Sequence, residues 1–149
     1  MAGTPDRKLK ILHVIDTLNP GGAERVLVTA ANVFHRHGHE TAVLAIVKAG
    51  PLAAELDTGI KLHTLGRSMR FSPLPMLQLG KIAAHYDIIH AHLHYNAVYA
   101  ALSKILSGNS TPLIFHEHLG NVEQRKMGLP LKFTVKRSSF IGVSRRICG

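Results

Sequence analysis

Five of the chain's eleven histidines fall in two short segments, HAHLH at residues 90–94 and HEH at residues 116–118. Histidine titrates nearest neutral pH, so it can accept a proton, donate one, or ligate a metal through a neutral ring nitrogen. In an extended segment alternate residues share a face, which sets His90 beside His92 and His116 beside His118. Two such HxH pairs admit a metal site. Neither CxxC nor HExxH accompanies them, and one member of each pair could instead pack inside a sheet, so the expectation is that no metal is bound. A neutral histidine at a strand end can also act as general base or hydrogen-bond a developing charge. His118 is the first candidate because it follows Glu117 where the chain leaves its apolar run. Glu117 could orient a histidine or bind a hydroxyl, or be a solvated carboxylate at the strand end.

A second constellation is DTLNPGGAER, residues 16–25, where an apolar run breaks at a proline and two glycines directly before a helical pattern. Gly21 and Gly22 would let a phosphate approach the backbone without a Cβ in the way, and the free N–H groups at the helix start would point at it. A strained turn that needs glycine explains the pair equally well. The segment is neither GxGxxG nor GxxxxGK[ST], which weakens a dehydrogenase or kinase reading. Basic segments complete the inventory. RSMRFSPLPM carries Arg67 and Arg70 beside Met69 and Phe71, and PLKFTVKR places Lys132 and Lys136 on one helical stripe; either could rest on an anionic membrane surface or simply be solvated.

The elements that must hold these residues follow from periodicity. KILHVI, TAVLAIV, IKLHTL, DIIHAH, PLIFHE and FIGVS read as strands, at residues 10–15, 41–47, 60–65, 87–92, 112–117 and 140–144. Apolar residues from Ala23 to Phe34 recur at helical spacing until Gly38, predicting about four turns. PLAAEL suits one helical turn, MLQLGKIAAHY a helix with Pro73 and Pro75 near its start, and residues 96–106 a helix ended by Gly108. A loop containing Gly120 and Gly128 precedes a short basic helix near residues 130–137. Alternating strands and helices predict an α/β fold, a Rossmann-like doubly wound parallel sheet of about six strands with helices on both faces. In such a sheet ligands gather at the carboxyl ends of the strands, which brings NPGGAER, HAHLHYN, HEHLG and VSRR together.

Composition narrows the partners. With 149 residues and 46% hydrophobic content the chain can bury one core, so residues 1–149 are read as a single domain. The formal charge of +9 favours phosphates, anionic lipid or nucleic acid. Aromatic residues make up only 5%, without tryptophan, and the basic residues are scattered, so no nucleic-acid partner is expected. One cysteine, Cys148, excludes an internal disulfide and fits a reducing compartment. The N-terminal segment lacks an apolar core, and nowhere do ~18 uncharged apolar residues run together.

KILHVIDTLNPGGAERVLVTAANVFHRHGHETAVL, DIIHAHLHYNAVYAA, PLIFHEHLG and FIGVSRRI, in that order, resemble the N-terminal domain of family 4 retaining glycosyltransferases of the GT-B fold. The resemblance implies transfer of a sugar from a nucleotide-diphosphate sugar to a hydroxyl acceptor, of glycolipid, lipopolysaccharide or exopolysaccharide type, with no tightly bound cofactor and no metal. It assigns Gly21 and Gly22 to the donor-diphosphate loop and His118, in preference to His116, to the catalytic histidine near the transferred sugar. His90, His92 and Asn96 fall on the acceptor side. His116, Glu117, Ser144 and Arg145 fall on the acceptor and sugar side with weaker claims. The family's paired-glutamate motif and its nucleotide-sugar-binding C-terminal domain have no counterpart in the 149 residues. The expectation is therefore one half of a GT-B enzyme, inactive alone and needing a C-terminal domain or partner subunit. Its expected place is the cytoplasm, with peripheral contact to the cytoplasmic membrane face. A non-catalytic sugar- or phosphate-binding module is the alternative from another class, and a metal-dependent hydrolase built on the HxH pairs is a third.

Overall fold

KILHVIDT forms strand β1 (Lys10–Thr17), and every residue from Ile11 to Ile15 is buried, so both its faces are covered. The same continuous burial marks β2 (Glu40–Lys48) and identifies the two as interior strands. The computed structural model describes residues 7–69, 72–118 and 139–142. Around β1 and β2 are added β3 (Lys61–Thr64), β4 (Ile88–His92), β5 (Leu113–Glu117) and β6 (Ser139–Gly142), giving one sheet in the order β3-β2-β1-β4-β5-β6. Every neighbouring pair is parallel. The expected six-stranded parallel sheet is thus present. The basic helix expected near 130–137 lies outside the described residues.

Helices cover both faces. Helix α1 (Gly22–Arg36) starts at Gly21, whose extended backbone provides no side-chain cap; Glu24 in its first turn and Arg36 in its last complement the helix dipole. Its buried residues Ala23, Leu27, Val28 and Ala31 pack with Ile15, Val43 and Leu18 on one face of the sheet. Helices α2 (Pro73–Ala83) and α3 (His94–Ser107) pack on the other, where Leu79, Ala97, Tyr99 and Ala100 meet Leu12, Leu44, Ile89 and Phe115. Pro73 sits in the first turn of α2, where its missing N–H is harmless, and Gly108 ends α3 in the left-handed conformation. Helix α3 begins two residues earlier than the apolar spacing suggests, because Leu93 turns the chain at φ 68° immediately after β4.

The order of strands reverses between β1 and β4, so the crevice opens above their carboxyl ends. One glycine outside the sequence-derived set fixes the β1 side of that crevice. Gly50, after β2, lies so close to the backbone of Leu18 and Asn19 that a Cβ there would collide with main-chain atoms. Leu52, in the 3-10 turn Pro51–Glu55, donates its N–H to the Leu18 carbonyl at 3.0 Å. Backbone cannot yield as a side-chain tip can, so Gly50→Ala should cost roughly 1–3 kcal/mol, the usual range for overpacking. Urea denaturation measures it; an unchanged midpoint would mean that the loop after β1 moves aside freely.

Candidate functional site

The strand register explains how five histidines meet. His13 of β1 pairs with His90 of β4, and His92 of β4 with His116 of β5. With side chains alternating along each strand, His13, His90, His92, His116 and His118 all project from the face that carries α1. His13 is the member that pattern reading passed over: it sits inside the apolar run ILHVI and only the register shows that it belongs to the row. His13, His90 and His92 are buried, at 0%, 7% and 0% exposure. His13 Nδ1 lies 3.4 Å from His92 Nε2, and His92 Nδ1 lies 3.0 Å from His118 Nε2. His116 and His118 stack with centroids 4.1 Å apart, so they share one face of the sheet instead of dividing between core and crevice.

Burial sets the charge of this row. Desolvation, reinforced by neighbouring histidines, lowers His13 to about 3 and His90 to about 4. The same causes push His92 lower still. Half-buried His118 is held at about 4, again chiefly by desolvation and then by His116. At neutral pH these rings are uncharged, able to give or take one hydrogen bond each but not to act as cations.

Asn96 is buried in the first turn of α3, and its Nδ2 donates to the His92 carbonyl at 2.8 Å, holding the turn that follows β4. Leu93 donates its N–H to the His116 carbonyl at 2.9 Å and ties that turn to β5. Glu117 is also buried, on the opposite face with Phe115, and its Oε1 accepts the His118 backbone N–H at 3.0 Å. It is therefore not the solvated strand-end carboxylate that one reading of the sequence allowed. Ser144 and Arg145 lie outside the described residues.

The glycine loop stands across the crevice. A Cβ at Gly21 would collide with the Glu24 carboxylate, whereas at Gly22 none of the described residues lies within 4 Å of one. At the end of β1 stands a cationic group whose burial the sequence does not reveal. Arg67 belongs to a basic segment that could rest on a membrane or be solvated, but its side chain is only 9% exposed and is paired to Asp16 at 3.2 Å. It also donates to the Tyr95 hydroxyl, with its guanidinium carbon 5.0 Å from the Tyr95 ring centroid and 5.2 Å from that of Tyr99. A lone arginine in a polar loop gives no signal of burial. Only the approach of three strand-exit segments creates its pocket.

A six-stranded parallel sheet with a glycine-led helix at its switch point defines a Rossmann-like α/β domain, the architecture of one half of a GT-B glycosyltransferase. Sequence comparison gives the family: Glycosyltransferase Family 4 matches residues 20–148, and the chain belongs to it. A Campylobacter jejuni relative, named as a GalNAc-alpha-(1->4)-GalNAc-alpha-(1->3)-diNAcBac-PP-undecaprenol alpha-1,4-N-acetyl-D-galactosaminyltransferase, is 31% identical over 120 residues, covering 74% of this chain and 32% of the relative. Anabaena HepE in complex with UDP and glucose superposes with a TM-score of 0.64 at 20% identity, over 90% of this chain and 37% of that one. The HepE complex with UDP-glucose gives 0.63 at 22% identity, over 90% and 36%. The chain thus spans about a third of the length of these relatives.

Proposed function

We propose that the chain is the acceptor-side half of a retaining glycosyltransferase that moves a sugar from a nucleotide-diphosphate sugar to a hydroxyl acceptor. The observation that carries this reading is the switch point itself. The glycine-led N-terminus of α1, where no described residue comes within 4 Å of a Cβ at Gly22, follows β1 directly, and the register sets His13 of β1 beside His90 of β4; this supports a diphosphate seat near groups able to hydrogen-bond a sugar. In the transfer the bond from the anomeric carbon to the diphosphate oxygen breaks, a bond to the acceptor oxygen forms on the same face, and the acceptor hydroxyl's proton passes to the departing diphosphate oxygen. His118, uncharged at neutral pH, hydrogen-bonds the transferred sugar. His90, His92 and Asn96 shape the β4 end on the acceptor side. They act from beneath through the Leu93 turn, since all three are buried.

The UDP-glucose complex of HepE supports a nucleotide-sugar donor, and the lipid-linked acceptor in the Campylobacter relative's name supports a membrane-borne acceptor. The +9 charge suits peripheral contact with an anionic membrane on the cytoplasmic side. Because the chain covers about a third of its relatives, turnover is expected only when a nucleotide-binding domain or subunit is supplied. The test is nucleotide release by the assembled enzyme carrying His118→Ala. We expect kcat to fall on the order of 10²-fold or more, with unchanged far-UV circular dichroism, since one positioned hydrogen-bonding group contributes about that much. Near-normal turnover would remove His118 from the mechanism.

A further inference from the structure

We propose that His13, His90 and His92 form a metal site, binding one divalent ion of the borderline class, foremost Zn2+, in a structural role that ties β1 to β4. This goes beyond the transferase reading and does not depend on it. Each of the three rings can offer one nitrogen within 4.8 Å of the other two, and all three rings are buried. His13 Nδ1 and His92 Nε2 are already 3.4 Å apart, about the separation of two ligands on one tetrahedral zinc with Zn–N bonds near 2.0–2.1 Å. The remaining adjustment is a small movement of His90, whose ring centroid is 5.0 Å from that of His13 and 4.3 Å from that of His92.

A second observation points to an ion. The Nε2 atom of His90 is buried without a hydrogen-bond partner among the described residues, although an unpartnered polar atom in a dry interior is costly. Each neutral imidazole of the triad has one nitrogen without a proton, and an ion would take up those three lone pairs together. His92 Nδ1 contacts His118 Nε2 at 3.0 Å, so a proton held there leaves the opposite nitrogen, facing His13, as a lone pair. A metal-bound histidine donates its other ring N–H to an acceptor, and His118 Nε2 can serve as that acceptor.

The ligand chemistry selects the ion. An all-imidazole set suits Zn2+, Cu2+ or Ni2+, whereas Mg2+ and Ca2+ call for oxygen ligands that the triad lacks. Phe34 of α1 stacks on His13 with centroids 5.9 Å apart. With all three rings buried, the site argues for a structural role over a hydrolytic one. His92, His116 and His118 form a second possible triad, but it shares His92 and its other two members are half-buried.

The test uses the purified 149-residue chain, stripped with chelator, loaded with Zn2+ and desalted. We expect one equivalent of zinc by elemental analysis, a rise in Tm on zinc addition that chelator reverses, and neither effect with Mg2+. His90→Leu and, separately, His13→Leu should each weaken zinc binding about 100-fold or more while keeping the far-UV spectrum, since removal of even an outer-shell partner costs 10–100-fold. His116→Leu should keep the site, as should the exposed-surface variant His37→Gln/His85→Gln. Failure to retain zinc would overturn the proposal. So would loss of zinc in His116→Leu, loss only in the surface variant, or undiminished binding in the two folded triad variants.

Discussion

Acidification from about pH 7 to about pH 4 is expected to unfold the metal-free chain cooperatively, with a midpoint near pH 5, well before the carboxylates become protonated. The cause is the buried histidine row. His13 and His90 have folded-state pKa values of about 3 and about 4, while the exposed imidazole of an unfolded chain titrates at 6.5. Between those limits the unfolded chain binds more protons than the folded one. Stability contributed by these rings is therefore complete above the unfolded pKa and is lost as pH falls toward the folded values. Each unit of difference amounts to about 1.4 kcal/mol, so the row can remove several kcal/mol, comparable with a whole domain's stability of about 5–15 kcal/mol. The groups facing one another are His13 from β1, His90 and His92 from β4, and His116 and His118 from β5. Far-UV circular dichroism against pH, with chelator present, measures the midpoint. His13→Leu should shift it to lower pH. A chain that keeps its signal to about pH 3 would show that the row is not paying a desolvation cost.

The same row marks where sequence reasoning reached and where it stopped. Period-two and period-three-to-four patterns located the strands and α1, because continuous burial of Ile11–Ile15 and the one-sided burial of α1 leave direct traces in residue type. The glycine pair was legible as a loop before a helix. Strand register was not, and register alone decides that His13 stands beside His90 and that His116 and His118 share a face. The burial of Glu117 and Asn96 was hidden for a related reason. Asn96 stands just after β4 and Glu117 at the end of β5, and their backbone hydrogen bonds, to the His92 carbonyl and the His118 N–H, exist only once the chain has left each strand. Gly50 was invisible because its constraint comes from a segment about thirty residues away in sequence.

Arg67 gives the second large effect. Its guanidinium joins three segments that leave the carboxyl side of the sheet: its own loop after β3, Asp16 at the end of β1, and Tyr95 in the first turn of α3. Desolvation raises the Asp16 pKa and the Arg67 charge opposes that rise, so the charged carboxylate is stabilised by its partner. Arg67→Leu leaves that carboxylate half-buried against apolar surface and removes the cation over Tyr95 and Tyr99. Breaking a buried pair costs about 3–5 kcal/mol; with Asp16 still 39% exposed, water recovers part of this, and about 2–3 kcal/mol is expected. Arg67→Lys should recover only part of the loss, since an ammonium cannot stack on tyrosine while reaching both oxygen partners. In Asp16→Asn/Arg67→Leu no charge is stranded, so the double variant should be more stable than the sum of the two single losses predicts. Denaturant midpoints for the four proteins of this cycle measure the coupling. Strictly additive losses would mean that Arg67 acts as a packed side chain and not as the ionic tie between the strand exits.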